Sequence, residues 1–230
     1  MALKATIYKA QLQIADMDRG IYGDHALTLA LHPSETEERM MVRLLAFALN
    51  VPADNHRGDL VFARGLADTD EPDLWQLDLT GQLVHWIEVG QPDERRMQRA
   101  AARAEQATFI SYSASTPIWW AGVKNKLTRT ERLSVWQLPS EQSAALAALA
   151  QRSMQIQVTV QDATLWFNDG RRSVEMGLLP EGQSFAVRLD VRDRAQWDTA
   201  LAALAAAAGG HMNVVHNNAG VAYGGALIEL

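Results

Sequence analysis

Asp73 and Glu88 are the residues of this 230-residue chain best placed to do chemistry. Asp73 opens the stretch Pro72-Asp73-Leu74-Trp75, Thr80-Gly81 is a turn signal, and Glu88 lies late in the run Val84-His85-Trp86-Ile87-Glu88-Val89. Apolar runs flanking a turn read as a β-hairpin. An acid early in one strand and an acid late in its partner then converge at one end of that hairpin. Two carboxylates brought together either hold a divalent cation or repel each other. Sharing one ion requires them about 4 to 8 Å apart, with ligand distances of ~2.1 Å. Asp78 competes with Asp73 for the end of the hairpin. The plainer role for Asp73 is that of a loop aspartate capping nearby backbone groups. Glu88 interrupts an apolar strand, where an unpaired carboxylate is costly, so a cation, an arginine or protonation has to compensate it.

The hairpin breaks at Gln91-Pro92 into Asp93-Glu94, a helix start: proline suits the first turn and acids suit the positive helix end. Arg95, Arg96, Arg99 and Arg103 follow at three- and four-residue spacings, which gathers them along one side of that helix. Such a row can hold a phosphate backbone, or it is a solvated outer face. Trp119-Trp120 can stack bases, or pack in the core. The six histidines show no metal-ligand spacing, which argues against zinc.

The elements that position these residues follow from periodicity. Residues 2–15 and 21–31 alternate, predicting an antiparallel strand pair. Ser34 with Glu37 three residues on reads as a capping box for a helix of about four turns. Its core stripe is Met41, Leu44, Leu45 and Ala48, with Arg39 and Arg43 on the other side. Strands are predicted at 60–63, 108–112, 133–136 and 154–160. Helices are predicted from Asp93 to about Gln106, over 117–127, and from a Ser140 cap to Ala150. Asn168-Asp169-Gly170 turns a hairpin between 165–167 and 171–178. Strands and helices interleaved this way predict an α/β fold, a mixed β-sheet with flanking helices.

At 48% hydrophobic the chain can bury a full core. It has no cysteine, which excludes disulfides, thiolate metal sites and cysteine nucleophiles. Met1-Ala2-Leu3-Lys4 leads into a strand pattern with no apolar signal segment, and no run approaches a membrane span. Together these suit a cytoplasmic protein. The net charge of −6 argues against a broad nucleic-acid coat but leaves room for a local basic face.

Pro72-Asp73 and Glu88-Val89-Gly90 resemble the PD-(D/E)XK phosphodiesterase superfamily, with glycine at the lysine position. Longer stretches resemble the bacterial YaeQ family over about residues 1–180: Met1 to Ala10, His32-Pro33-Ser34-Glu35-Thr36-Glu37-Glu38-Arg39-Met40-Met41, Asp70-Glu71-Pro72-Asp73-Leu74-Trp75, and Trp86-Ile87-Glu88-Val89-Gly90-Gln91-Pro92-Asp93-Glu94. The resemblance implies a restriction-endonuclease-like core and, if that core is active, Mg²⁺-dependent phosphodiester hydrolysis. Asp73 and Glu88 would hold the ion, Glu38 would assist, and Gln91 or Arg95 would stand in for the lysine. The alternative is a non-catalytic module with a vestigial acidic site and an arginine face (Arg95, Arg96, Arg99, Arg103) that meets nucleic acid or protein.

Residues 181–230 change character: strand patterns at 185–191 and 212–216 enclose an alanine-rich helix at 195–208. Leu189-Asp190-Val191-Arg192-Asp193 and Asn217-Asn218-Ala219-Gly220 resemble the middle of a short-chain dehydrogenase/reductase. That family's glycine-rich loop and Tyr-x-x-x-Lys pair are missing, so this stretch is expected to be an appended fragment that binds no NAD(P).

Overall fold

β1 (Thr6–Asp16) and β2 (Ile21–Leu31) form the antiparallel pair that their alternation predicts, with Tyr8, Ala10, Leu12 and Ile14 turned inward. The computed structural model describes residues 5–63, 71–128, 130, 132–177 and 179–180. The expected dehydrogenase-like stretch at 181–230 lies outside them. The described strands make two sheets where the pattern suggested one. β1 also pairs in parallel with β8 (Ser153–Gln161), Lys9 facing Ser153, and the β9 (Thr164–Asn168) and β10 (Ser173–Gly177) hairpin extends that sheet to the order β10-β9-β8-β1-β2.

The second sheet contains six described strands. β3 (Leu60–Phe62), β4 (Leu74–Leu77) and β5 (Leu83–Val89) are antiparallel; β5, β6 (Gln106–Ser111) and β7 (Leu133–Gln137) are parallel, and β11 (Leu179–Pro180) is antiparallel to β7. β5 is buried from Val84 to Val89 because helices cover both of its faces.

α1 (Glu37–Asn50) is the central element. Met40 to Ala48 are all buried, the pattern of a helix covered on every side. Its side chains share one core with Leu12, Ile14 and Ile156 of the first sheet and Leu74, Ile87 and Val89 of the second. α2 (Glu94–Arg103) and α3 (Thr116–Val123) cover the far face of the second sheet, over Trp86, Phe109 and Val135. α4 (Ser140–Ala147) packs beside α1 through Leu146.

Several local expectations need correction. The α1 cap is Thr36, whose side chain accepts from the Arg39 N–H; Glu37 instead accepts from the Tyr8 hydroxyl at 2.6 Å. Arg39 and Arg43 do not point to solvent: Arg43 is 3% exposed, drawn in by an acid described below. α4 has Pro139 at its cap with no side-chain bond, so Ser140 is its first residue and not its cap.

His85 of β5 is buried and its Nε2 lies 2.8 Å from Thr108 Oγ1. Burial pulls the imidazole pKa down to about 4. As pH falls below about 6.5 the unfolded chain takes the proton first, so stability is lost progressively toward pH 4. Between pH 7 and 4.5 that loss should be about 2 kcal/mol, absent from His85→Gln. Urea unfolding of both proteins at both pH values checks it; equal losses would contradict it.

Candidate functional site

The parallel strands β5, β6 and β7 end together at Val89, Ser111 and Gln137, and ligands of open α/β sheets bind at such carboxyl ends. Asp73 lies just before β4, its N–H donating to Ile87 O at 3.1 Å. Its Oδ2 accepts from the Val89 N–H at 2.7 Å, while Arg39 Nη2 reaches both carboxylate oxygens at 2.8 Å and Val89 O at 3.2 Å. The Asp73 carboxylate and the Arg39 guanidinium therefore continue the ladder that β4 leaves off, satisfying both main-chain groups of Val89.

Arg39 also donates to Glu35 Oε1 at 3.0 Å, and Glu35 accepts from Arg43 Nε at 2.8 Å and Nη2 at 2.7 Å. Arg43 Nη2 donates onward to Ala30 O of β2 at 2.9 Å. Asp73, Arg39, Glu35 and Arg43 thus form an alternating chain of charge. Burial works against the Arg39 cation, but Asp73 and Glu35 outweigh it and raise its pKa.

Glu88 turns to the other side of β5, with Trp86, toward α2. Its Oε1 accepts from Arg96 Nε at 2.5 Å and its Oε2 from Trp86 Nε1 at 3.1 Å. Arg96 also donates to Glu71 O at 2.9 Å, and the Arg96 and Arg103 guanidinium groups lie 5.5 and 5.6 Å from the Trp86 ring centre. Burial pushes the Glu88 pKa up; Arg96 and Trp86 oppose the rise and the Asp73 charge adds to it. The two carboxylates feel each other, yet each is bound by an arginine from a different helix.

Glu38 Oε1 accepts from Ser143 Oγ of α4 at 2.6 Å. The Gln91 amide is held on both ends: Nε2 donates to Ser111 Oγ at 3.2 Å and Thr116 Oγ1 at 3.4 Å, and Oε1 accepts from Ser115 Oγ at 3.1 Å. Asp78 turns onto Thr80 and Gln82 and takes no part. Arg95, Arg99 and Arg103 are exposed on α2, whereas Arg96 is folded inward onto Glu88. Tyr112, next to Ser111, is half-buried; its pKa is raised, chiefly by burial, with the nearby Arg39 only partly offsetting the rise.

Gly90 has φ +117°, and no heavy atom lies within 4 Å of where a Cβ would stand. Gly90→Ala and Gly90→Lys should therefore cost similar amounts, about 1 to 3 kcal/mol of backbone strain without a clash. Thermal unfolding measures this; a lysine variant far worse than the alanine one would refute it.

Sequence reasoning missed Glu35, the hub of the charge chain. The available signal was Glu35, Arg39 and Arg43 at four-residue spacing, with Arg43 inside an otherwise apolar helix: an arginine there needs an acid.

Over residues 1–178 the sequence matches the YaeQ protein family. The chain belongs to the YaeQ family. It is 45% identical over 179 residues to the YaeQ protein of Escherichia coli (strain K12), covering 77% of this chain and 96% of that one, and matches the Salmonella typhi YaeQ protein to the same extent. The crystal structure of the YaeQ protein from Xanthomonas axonopodis pv. citri aligns with a TM-score of 0.73 at 46% identity, over 78% of this chain and 99% of that one. That of Pseudomonas syringae aligns with a TM-score of 0.73 at 35% identity, over 78% of this chain and 97% of that one. The family match stops short of the C-terminal stretch. Among the described residues no helix is long and apolar enough to cross a membrane.

Proposed function

We propose that this YaeQ-family chain is a PD-(D/E)XK nuclease-like scaffold that binds nucleic acid without hydrolysing it. The observation that carries this reading is the occupancy of both candidate carboxylates. Asp73 is taken up by Arg39 and the Val89 N–H, and Glu88 by Arg96 and Trp86. A divalent ion sharing Asp73 and Glu88 has to compete with two guanidinium groups. Among the described residues no group of three or more His, Cys, Asp or Glu is arranged to hold a metal. As these side chains stand they do not fit Mg²⁺. Gly90 and the pinned Gln91 supply no cation where active relatives have lysine. Nucleic acid as partner is favoured by the exposed cations Arg95, Arg99, Arg103 and Lys124 in a chain of net charge −6.

The competing reading is Mg²⁺-dependent phosphodiester hydrolysis with Asp73 and Glu88 as ligands, assisted by Glu38 and by Gln91 or Arg95. It is favoured by the mutual repulsion of the two carboxylates, which an ion between them would relieve. Calorimetric titration with Mg²⁺ or Mn²⁺ separates the two. The binding reading expects no saturable heat, no ion-dependent rise in unfolding temperature, and oligonucleotide binding in EDTA that weakens with salt. Mg²⁺-dependent cleavage of an oligonucleotide, abolished by Glu88→Ala, would overturn it.

A further inference from the structure

α3 leaves an apolar surface in a basic neighbourhood. Ile118 is 79% exposed, Pro117 is exposed, and Trp119 and Trp120 are half-buried with ring centres 6.0 Å apart at 45°. Trp119 Nε1 donates to Pro92 O at 2.9 Å, which anchors α3 to the turn before α2. The 3-10 turn Lys124–Lys126 continues α3, and Gln98 Nε2 of α2 donates to Lys126 O at 2.9 Å, which brings the cations of the two segments side by side. Arg95, Arg99, Lys124 and Lys126 are all exposed there, and Lys126 is paired with Glu94 at 2.8 Å.

A duplex offers phosphates and grooves to such a surface but keeps its base faces stacked inside, so a half-exposed indole gains little from it. A single strand offers both, because each base has a face free to stack. The charge complementarity between the cations and a phosphate backbone selects a polyanion over an apolar protein partner. Resting on the nucleic-acid reading above, we propose that the α3 surface is a single-strand platform. Trp120 receives a base, and Arg95 and Lys124 receive phosphates.

Fluorescence anisotropy in EDTA tests this with a labelled oligothymidylate of about twenty nucleotides and a duplex of the same length. The single strand should bind about tenfold or more tighter than the duplex. Trp120→Ala should weaken single-strand binding by about tenfold or more while leaving duplex binding within about twofold, and Trp120→Phe should restore most of the loss. Because Trp120 is partly packed, circular dichroism checks that each variant is folded, and Ile118→Ser, on another side of α3, is the control that should leave single-strand binding within about twofold. Single-strand binding that survives Trp120→Ala unchanged, that Ile118→Ser weakens as much as Trp120→Ala does, or that falls equally for single strand and duplex, would reject the platform while leaving the nucleic-acid reading intact. Absence of binding to either oligonucleotide would reject both.

Discussion

Glu35→Ala is expected to lower stability by about 3 to 5 kcal/mol, the usual cost of leaving a buried charge without its partner. Glu35 is 2% exposed in its side chain and accepts from two arginines and from the His32 N–H. Arg39 keeps Asp73 when Glu35 is lost, but Arg43, with its side chain 4% exposed, keeps only Ala30 O among the partners described above. The damage therefore falls on Arg43. The double variant Glu35→Leu/Arg43→Met should recover part of the loss, since an apolar pair of similar volume carries no desolvation penalty. Urea unfolding gives all three values. A single-variant loss under about 1 kcal/mol, or a double variant no better than the single, would show that the pair is not coupled.

Gly58→Ala should be worse still. A Cβ at Gly58 would stand 1.8 Å from Leu77 O and 2.8 Å from its carbonyl carbon, both backbone atoms that cannot rotate away. The turn presses there because Gln76 Nε2 ties it to β4, donating to Gly58 O at 3.0 Å and to Arg57 O at 3.2 Å, beside the register shift at Gln76/Leu77. Gly81 is the control: its φ of +83° nearly equals the +84° of Gly58, but its Cβ position is open. Gly81→Ala should cost about 1 kcal/mol of strain, and Gly58→Ala more than about 4 kcal/mol or the folded state altogether. Two alanine variants within about 1 kcal/mol of each other would show that the turn yields freely.

Most elements of the fold were legible because their signals are local. The alternation of β1 and β2, the hairpin over Asn168-Asp169-Gly170 and the proline break before α2 depend on neighbours in sequence. The division into two sheets was not legible: the β1–β8 pairing joins residues more than a hundred positions apart, and no short window contains it. At the site, the need of Glu88 for compensation followed from its apolar strand, and arginine was one of three possible answers. Which arginine answers depends on α2 folding back along β5, which brings Arg96 and not Arg95 onto Glu88. Arg39 and Arg43 were misjudged because a helical wheel presumes a helix with one wet side. α1 has none, being enclosed by strands of both sheets, so its arginines had to find acids inside.

The parallel pairing of β1 with β8 has a consequence for how the protein is made. Lys9 meets Ser153, so the amino-terminal hairpin, complete at Leu31, has no neighbour on that side until some 122 further residues have been synthesised. At ~5 to 20 residues per second that is roughly six to twenty-five seconds, far longer than a hairpin or helix takes to form. Throughout this interval the edge of β1 that β8 will cover stays open, and the first sheet has only two of its five strands with which to cover α1. Loop closure over such a span is also slow in its own right, since the entropy of bringing distant segments together is lost before any contact compensates it. The nascent chain is therefore most vulnerable to aggregation before β8 emerges, and a ribosome-bound chaperone that shields apolar segments would act on it in that window.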